Sequence, residues 1–107
     1  MQNIGATNMS KIRESARGEQ CLVRIPGVCN HNPETVVFAH YRLAGFCGVG
    51  MKPPNWMGAY ACSACHDCAD GRVARGVSTL QAHLYLAEGA FRTQAKLIEK
   101  GLLEVVK

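Results

Sequence analysis

The residues best suited to chemistry are the six cysteines and four histidines of this 107-residue chain. Three of the cysteines and one histidine fall within residues 61–70, ACSACHDCAD. The motif Cys62-x-x-Cys65-His66 has the spacing of a covalent haem site, of a redox dithiol and of half a zinc site. Each interpretation predicts a different protein, and the rest of the chain must distinguish them.

The haem and dithiol interpretations fit the rest of the chain poorly. Covalent haem is normally attached to exported proteins, but residues 1–20 contain no apolar stretch of the kind found in a signal peptide. A redox Cys-x-x-Cys pair is expected in a βαβ setting, whereas the pattern here predicts strand, long loop, strand, short helix and long helix. Neither interpretation explains Cys21 and Cys29.

The zinc interpretation uses four of the cysteines. No apolar run approaches the roughly 18 residues of a membrane span, so we expect a cytoplasmic protein without membrane contact. Thiols stay reduced in the cytoplasm, where clustered cysteines are typical metal ligands. Zinc takes four thiolates, usually as two pairs, and we expect a structural zinc site formed by Cys21, Cys29, Cys62 and Cys65. The first pair is more widely spaced than usual, so Cys47 is kept as an alternative ligand.

Two predicted strands position these residues. ETVVFAH, residues 34–40, is β-branched and aromatic and ends at His40, and WMGAYAC, residues 56–62, leads into the cysteine motif. A long glycine-rich loop connects them, and a short helix is expected from about Ser63. The pattern predicts a small α+β fold in a single domain of residues 1–107, with residues 1–9 as a flexible tail.

A long C-terminal helix over residues 79–101 is the clearest element. Gly89 predicts a kink or break within it, and Gly101 is a plausible C-cap. Its apolar residues recur at helical spacing and predict one face packed on the core, formed by Leu80, Leu84, Ala87, Phe91, Ala95 and Ile98.

Charge and histidine placement point towards nucleic acid. The net charge of +4 is mildly basic, which favours an acidic partner only slightly. Phosphodiester hydrolysis needs a base with a pKa near neutrality, which histidine supplies, and a divalent metal on the scissile phosphate. A strand with His40, a loop, a second strand and a helix with His66 follow the order of a ββα-metal, or HNH, nuclease.

The chain resembles the small phage and prophage family of YbcO-type nucleases. The resemblance is carried by ARGEQCLVRIPGVCN, by FAHYRLAGFCGVGMKPPNWMGAYACSACHD and by LAEGAFRTQAKLIEKG. H-x-R, the glycine-rich loop, K-P-P-N and C-x-x-C-H are also similar to the wider HNH group, which includes a phage recombination-associated nuclease. The resemblance implies an HNH-like fold and metal-dependent cleavage of DNA in phage recombination or DNA processing, with a recombination protein as a possible partner.

The resemblance also implies a role for particular residues. His40 would be the general base, and Asn55 would orient it through its side-chain amide. His66 would bind the catalytic Mg²⁺ or Mn²⁺. Arg42 and Lys52 would contact DNA phosphates, which position the backbone without reading bases.

One position departs from the HNH pattern. Many HNH enzymes carry an Asp or His just before the general base as a second metal ligand, and this chain has Ala39 there. Either Asp67, Asn55 or another group then completes the catalytic metal site, or the metal is held weakly. The alternative interpretation is a non-catalytic zinc-stabilised module that binds DNA or protein.

Overall fold

The computed structural model describes residues 11–48, 50–51, 53–72 and 76–105. The expected tail, residues 1–9, lies outside them. The structure contains two strands, β1 (Val37–His40) and β2 (Gly58–Ala61). Two helices follow them, α1 (Ser63–Ala69) and α2 (Thr79–Glu99). A helical turn at residues 11–14 and a 3-10 turn at Pro33–Thr35 precede them. The fold is α+β, with a two-stranded sheet and a long C-terminal helix, as the sequence predicts. In the described ranges, no helix has the length and apolar character required to cross a membrane.

The two strands form an antiparallel hairpin that places His40 at the end from which the connecting loop leaves. The register pairs Val37 with Ala61 and His40 with Gly58. The pairing continues one step further, because the Tyr41 amide donates to the Met57 carbonyl at 2.8 Å. The loop that connects β1 to β2 therefore starts from a fixed strand end.

Helix α2 begins and ends close to its predicted limits. Ser78 and Gln81 form a capping box, in which each side-chain oxygen accepts from the backbone amide of the other residue at 3.1 Å. The helix ends at Glu99, and Gly101 follows with a φ of +73°. That left-handed conformation is the one that glycine favours at a helix C-terminus.

The face of α2 that packs on the core is not the predicted one. Leu80, Leu84, Phe91 and Ile98 are 80%, 59%, 72% and 46% exposed. The buried residues are instead Ala82, Leu86, Gly89, Thr93 and Leu97. Three of these five are small, so the helix backbone approaches the sheet closely, and a pattern based on large apolar side chains selects the opposite face.

Gly89 shows how closely the neighbouring chain approaches the buried face of α2. The predicted break is wrong, because α2 is continuous through this position. A Cβ at Gly89 would lie 2.8 Å from Val23 Cγ2, so the glycine allows the segment after the first cysteine to pack on the helix. Thr93, fully buried, then donates to the Gly89 carbonyl at 2.7 Å and accepts from the Tyr60 amide at 2.9 Å. These contacts join α2 to β2.

Candidate functional site

Four cysteine side chains converge between the N-terminal segment and the start of α1. Their Sγ atoms all lie within 4.8 Å of one another, and three of the four residues are buried. The four residues are the predicted set, Cys21, Cys29, Cys62 and Cys65. The group is close enough to bind one metal ion, and Cys47, the alternative ligand, does not belong to it.

Local backbone structure explains how the cysteines meet. Cys62 is the N-cap of α1, and its Sγ accepts from the backbone amides of Cys65 at 3.4 Å and Asn30 at 3.5 Å. The wide spacing of the first pair is absorbed by a turn, in which the Cys29 amide donates to the Ile25 carbonyl at 2.9 Å. The turn folds Cys29 back towards the helix start, so seven intervening residues still form one half of the site.

The four thiols do not ionise equally. A hydrogen bond with the Cys65 thiol, helped by the backbone amides of Arg24 and Val23, lowers the pKa of Cys21 to about 4. The same hydrogen bond raises the pKa of Cys65, and burial raises the pKa of Cys29 to about 11. Holding all four side chains as thiolates would require a cation between them. Four sulfur donors in this arrangement fit zinc, which binds four thiolates tetrahedrally.

A second constellation lies at the loop end of the hairpin. His40 Nε2 donates to Asn55 Oδ1 at 2.8 Å. Because a carbonyl oxygen can only accept, this bond requires the proton on Nε2 and leaves the Nδ1 lone pair available. Asn55 is only 6% exposed and begins the turn whose closing bond joins the Met57 amide to the Pro54 carbonyl at 3.0 Å. The imidazole is thus held in one orientation and one tautomer.

The ring of His40 also packs on a neighbouring aromatic ring. Its centroid lies 5.2 Å from that of Phe38, in an edge-to-face arrangement. A Cβ at Gly58, opposite His40 in the sheet, would come within 2.5 Å of Phe38 Cε2. Glycine at this position leaves room for the Phe38 ring, which in turn limits the movement of the imidazole.

His40 opens onto a cleft of about 360 Å³. The cleft is lined from three directions: by the residues after β1, by the end of α1, and by α2. Its polar walls carry His40, Tyr41, Arg42, Asp70, Arg72 and His83. An imidazole, two guanidinium groups and a carboxylate therefore face one open space.

His66 does not line this cleft but contacts Asp70, which does. Its Nε2 lies 3.3 Å from Asp70 Oδ2, one helical turn further along α1. Asp70 lines the cleft, whereas His66 does not. Arg72 lies 3.6 Å from Asp70 and 3.2 Å from Asp67, so Asp67 is already engaged by a guanidinium.

The sequence is similar to those of known proteins, and this similarity identifies its family. The sequence model of the family described as "Putative nuclease YbcO" matches residues 10–102. The chain belongs to the YbcO family. It is 49% identical over 96 residues to a curated member from Escherichia coli strain K12, which covers 90% of this chain and 99% of that protein. A member from Enterobacteria phage 82 has the same identity and coverage.

A solved structure is also similar to this YbcO-family chain. Its title is "Structure of a putative bacteriophage protein from Escherichia coli str. K-12 substr. MG1655". The two chains are 45% identical, with a TM-score of 0.73, over 85% of this chain and all of the other.

The predicted site residues of this YbcO-family chain fall into three groups. His40 and Asn55 are in direct contact, and Arg42 lines the same cleft. His66 lies behind Asp70 rather than in the cleft wall. Lys52 lies outside the described residues.

The acidic and basic cleft residues that were not selected from the sequence are Asp70, Arg72 and His83. A signal existed for Asp70, because it follows His66 by four residues on a predicted helix and must share its face. His83 had no such signal, since its position in the cleft depends on how α2 packs across the end of the hairpin.

Proposed function

We propose that this protein is a metal-dependent nuclease of the HNH type that hydrolyses phosphodiester bonds in DNA. The observation that carries the proposal is the His40–Asn55 hydrogen bond at the mouth of a cleft that also contains Asp70 and two arginines. The relatives named as nucleases support the same activity class.

His40 is the general base. Its Nδ1, free of the proton that Nε2 donates to Asn55, takes a proton from the attacking water. The water oxygen then bonds to phosphorus as the bond to the leaving oxygen breaks. Asn55 holds the ring throughout and stabilises the imidazolium, because its Oδ1 still accepts from Nε2 after Nδ1 is protonated.

His66 and Asp70 are the residues that would hold the catalytic Mg²⁺ or Mn²⁺. Their donor atoms are 3.3 Å apart, near the roughly 3 Å separation of adjacent ligands around an octahedral ion bound at about 2.1 Å. Ala39 offers no donor, being 2% exposed and paired with Ala59 inside the sheet, so Asp70 replaces the missing ligand. A divalent ion here would stabilise negative charge on the leaving oxygen.

The cysteine cluster has a separate, structural role. We assign it to Zn²⁺ on the basis of its four sulfur donors, and we assign the protein to the cytoplasm, where thiols stay reduced. A zinc ion held there would join the segment containing Cys21 and Cys29 to the helix start that carries His66. The zinc site thereby supports the helix that carries the catalytic metal ligands.

The basic side chains of the cleft hold the substrate. Arg42 and Arg72 face the space beside His40, where a phosphate would lie. Contacts of this kind position a DNA strand without reading its bases. Lys52 is assigned the same role on the resemblance alone. We place the activity in phage recombination or DNA processing, with a recombination protein as a candidate partner.

A cleavage assay tests the proposal. The zinc-loaded chain is incubated with end-labelled single-stranded, duplex and branched DNA, with and without added Mg²⁺ or Mn²⁺. Loss of a general base costs about 10²–10⁴-fold, so His40→Ala should retain DNA binding while cleavage falls by that amount. Leu80→Ala is the matched control, because Leu80 is 80% exposed on α2 and belongs neither to the cleft nor to the cysteine cluster.

The second candidate function is a non-catalytic zinc module that binds DNA or protein. Ala39 favours it, and within the described ranges only the four cysteines form a group of three or more potential metal ligands. The two functions separate clearly in the assay. Cleavage by His40→Ala at the wild-type rate would identify a contaminating nuclease and favour the binding module.

A further inference from the structure

A second groove adjoins the proposed active site. It has a volume of about 350 Å³ and is lined mainly by apolar side chains, including Leu43, Trp56 and Phe91, with Gln94 at its wall. Phe91 is 72% exposed and Leu43 42%, so these side chains contribute little to the core. An exposed apolar surface of this kind is typical of a binding site. The proposed catalytic role of the first cleft does not account for it.

Tyr41 joins the groove to the catalytic cleft. It follows the general base His40 directly and lines both spaces. Its amide is fixed to Met57 at 2.8 Å, and its ring centroid lies 6.2 Å from that of His83. A strand with one phosphate at His40 would therefore bring its neighbouring nucleotides to the Tyr41 side of the groove.

The chemistry of the groove suits nucleobases. Trp56 lines it and packs edge-to-face on Phe46, with ring centroids 6.4 Å apart, while Phe91 faces it from α2. Aromatic side chains bind bases by stacking, and this is tolerant of sequence because every base has a π-face. Bases inside a duplex are already stacked and paired, so only unpaired bases can use such a surface. The two arginines of the adjoining cleft provide charge for the backbone of the same strand.

We propose that the groove between Tyr41, Trp56 and Phe91 binds unpaired nucleobases next to the scissile phosphate, so that the substrate is single-stranded DNA or a single-stranded segment beside a duplex. This inference rests on the proposed nuclease function, because it defines the substrate of the same site. It commits the exposed face of α2 to nucleic acid rather than to a second copy of the chain or to another protein.

Trp56 provides a direct test, since it is the only tryptophan in the chain. The zinc-loaded full chain, without added Mg²⁺ or Mn²⁺, is titrated with a thymidine oligonucleotide and with a hairpin duplex of equal phosphate number. We expect the single strand to change Trp56 fluorescence and to bind at least about tenfold more tightly than the duplex. Phe91→Ala should weaken single-strand binding by roughly 5- to 100-fold, the range for loss of one stacked base, and leave duplex binding unchanged.

Leu80→Ala is the matched control. Leu80 lies on the same helix and is 80% exposed, but it does not line the groove. Equal binding of single strand and duplex, or equal effects of Phe91→Ala and Leu80→Ala, would overturn the proposal. A doubled mass in light scattering with a concentration-dependent change in Trp56 fluorescence, both without DNA, would assign the groove to a second copy and overturn it as well.

The outcome also separates this inference from the proposed function. Selective binding of single strands that depends on Phe91, without cleavage by the wild-type protein in Mg²⁺ or Mn²⁺, would refute the nuclease and leave the base-binding groove intact. Cleavage of single strand and duplex at equal rates would refute the groove assignment and leave the nuclease intact.

Discussion

The cysteine cluster and the His40 cleft hold reactive side chains in opposite ways. In the cluster, four donor atoms lie within 4.8 Å of one another, and three of the residues are buried. In the cleft, His40, Asp70 and His83 come from three different elements and face an open space of about 360 Å³. Closed sites with every ligand supplied by protein are structural, whereas catalytic sites keep positions open for water and substrate.

This difference predicts how the two regions respond to mutation. The cluster connects the N-terminal segment to α1, so its loss should remove fold and activity together. The cleft lies on the surface of an already assembled hairpin and two helices. Its polar residues can therefore be replaced with loss of activity and little loss of stability.

The largest effect is expected for Cys65→Ser. Cys65 is fully buried and is one of the four proposed zinc ligands. Structural zinc often supplies most of the folding free energy of a small domain. We expect a protein with less than one bound zinc per chain and no cooperative unfolding transition at 25 °C. Zinc content by atomic emission and thermal denaturation by circular dichroism measure both.

Cys47→Ser is the matched control for that substitution. Cys47 is half-buried, lies in the loop between the strands and does not belong to the cluster. Its replacement should keep full zinc content and change the free energy of unfolding by less than about 1 kcal/mol. Equal loss of zinc in the two variants would contradict the division between a closed cluster and a separate loop.

On the cleft side, the largest effect after that of His40→Ala is expected for Asn55→Ala. A hydrogen bond to a charged group is worth about 1.5–3 kcal/mol, so cleavage should fall by roughly 10- to 100-fold in a protein that still unfolds cooperatively. Asn55→Asp keeps an acceptor for His40 Nε2 and should retain most of the activity. Its carboxylate would favour the charged imidazolium over the neutral ring, so the acidic limb of the pH–rate profile should move to higher pH. An unshifted profile would mean that His40 is not the base.

The spacing of residues in the sequence was sufficient to predict the cysteine cluster, but not to predict which residues line the cleft. Cys62 and Cys65 are three residues apart at a helix start, and such local geometry follows from the chain itself. The grouping of His83 with His40 depends instead on α2 crossing the sheet, which is a tertiary contact. The predicted face of α2 was wrong for the same reason, because the small residues Gly89 and Thr93 decide which side packs.

Gly89→Ala tests that packing and should have the next largest effect. Replacing glycine by alanine inside an exposed helix normally stabilises by about 0.5–1 kcal/mol. Here the added Cβ would lie 2.8 Å from Val23 Cγ2 and 3.1 Å from the Leu22 carbonyl oxygen. We expect the sign to reverse, with a loss of about 1–3 kcal/mol in the free energy of unfolding measured with urea. A stabilised variant would mean that α2 does not pack on the segment after Cys21.

The smallest effect is expected at the ion pair between Glu19 and Lys100. Burial alone would lower the pKa of Lys100, but the hydrogen bond with Glu19, together with the nearby Tyr60 and the charge of Glu19, outweighs it and raises that pKa. A raised lysine pKa in the folded state means that the stabilisation is complete below the unfolded value and is lost as pH rises through the folded value.

Glu19→Gln should therefore lower the free energy of unfolding at pH 7 by less than about 1 kcal/mol, since both side chains are partly exposed and screened by solvent. The difference from wild type should shrink when the pH is raised past that of the Lys100 transition, and also at high salt. Glu88→Gln, which breaks an exposed pair with Arg92 on α2, should show the salt effect without the lysine titration.

Glu19 precedes the first cysteine by two residues, so the Glu19–Lys100 pair anchors the N-terminal segment at the far end of α2 from the cleft. The folded Glu19→Gln protein should consequently cleave DNA at the wild-type rate, and slower cleavage at unchanged stability would show that the two regions are coupled.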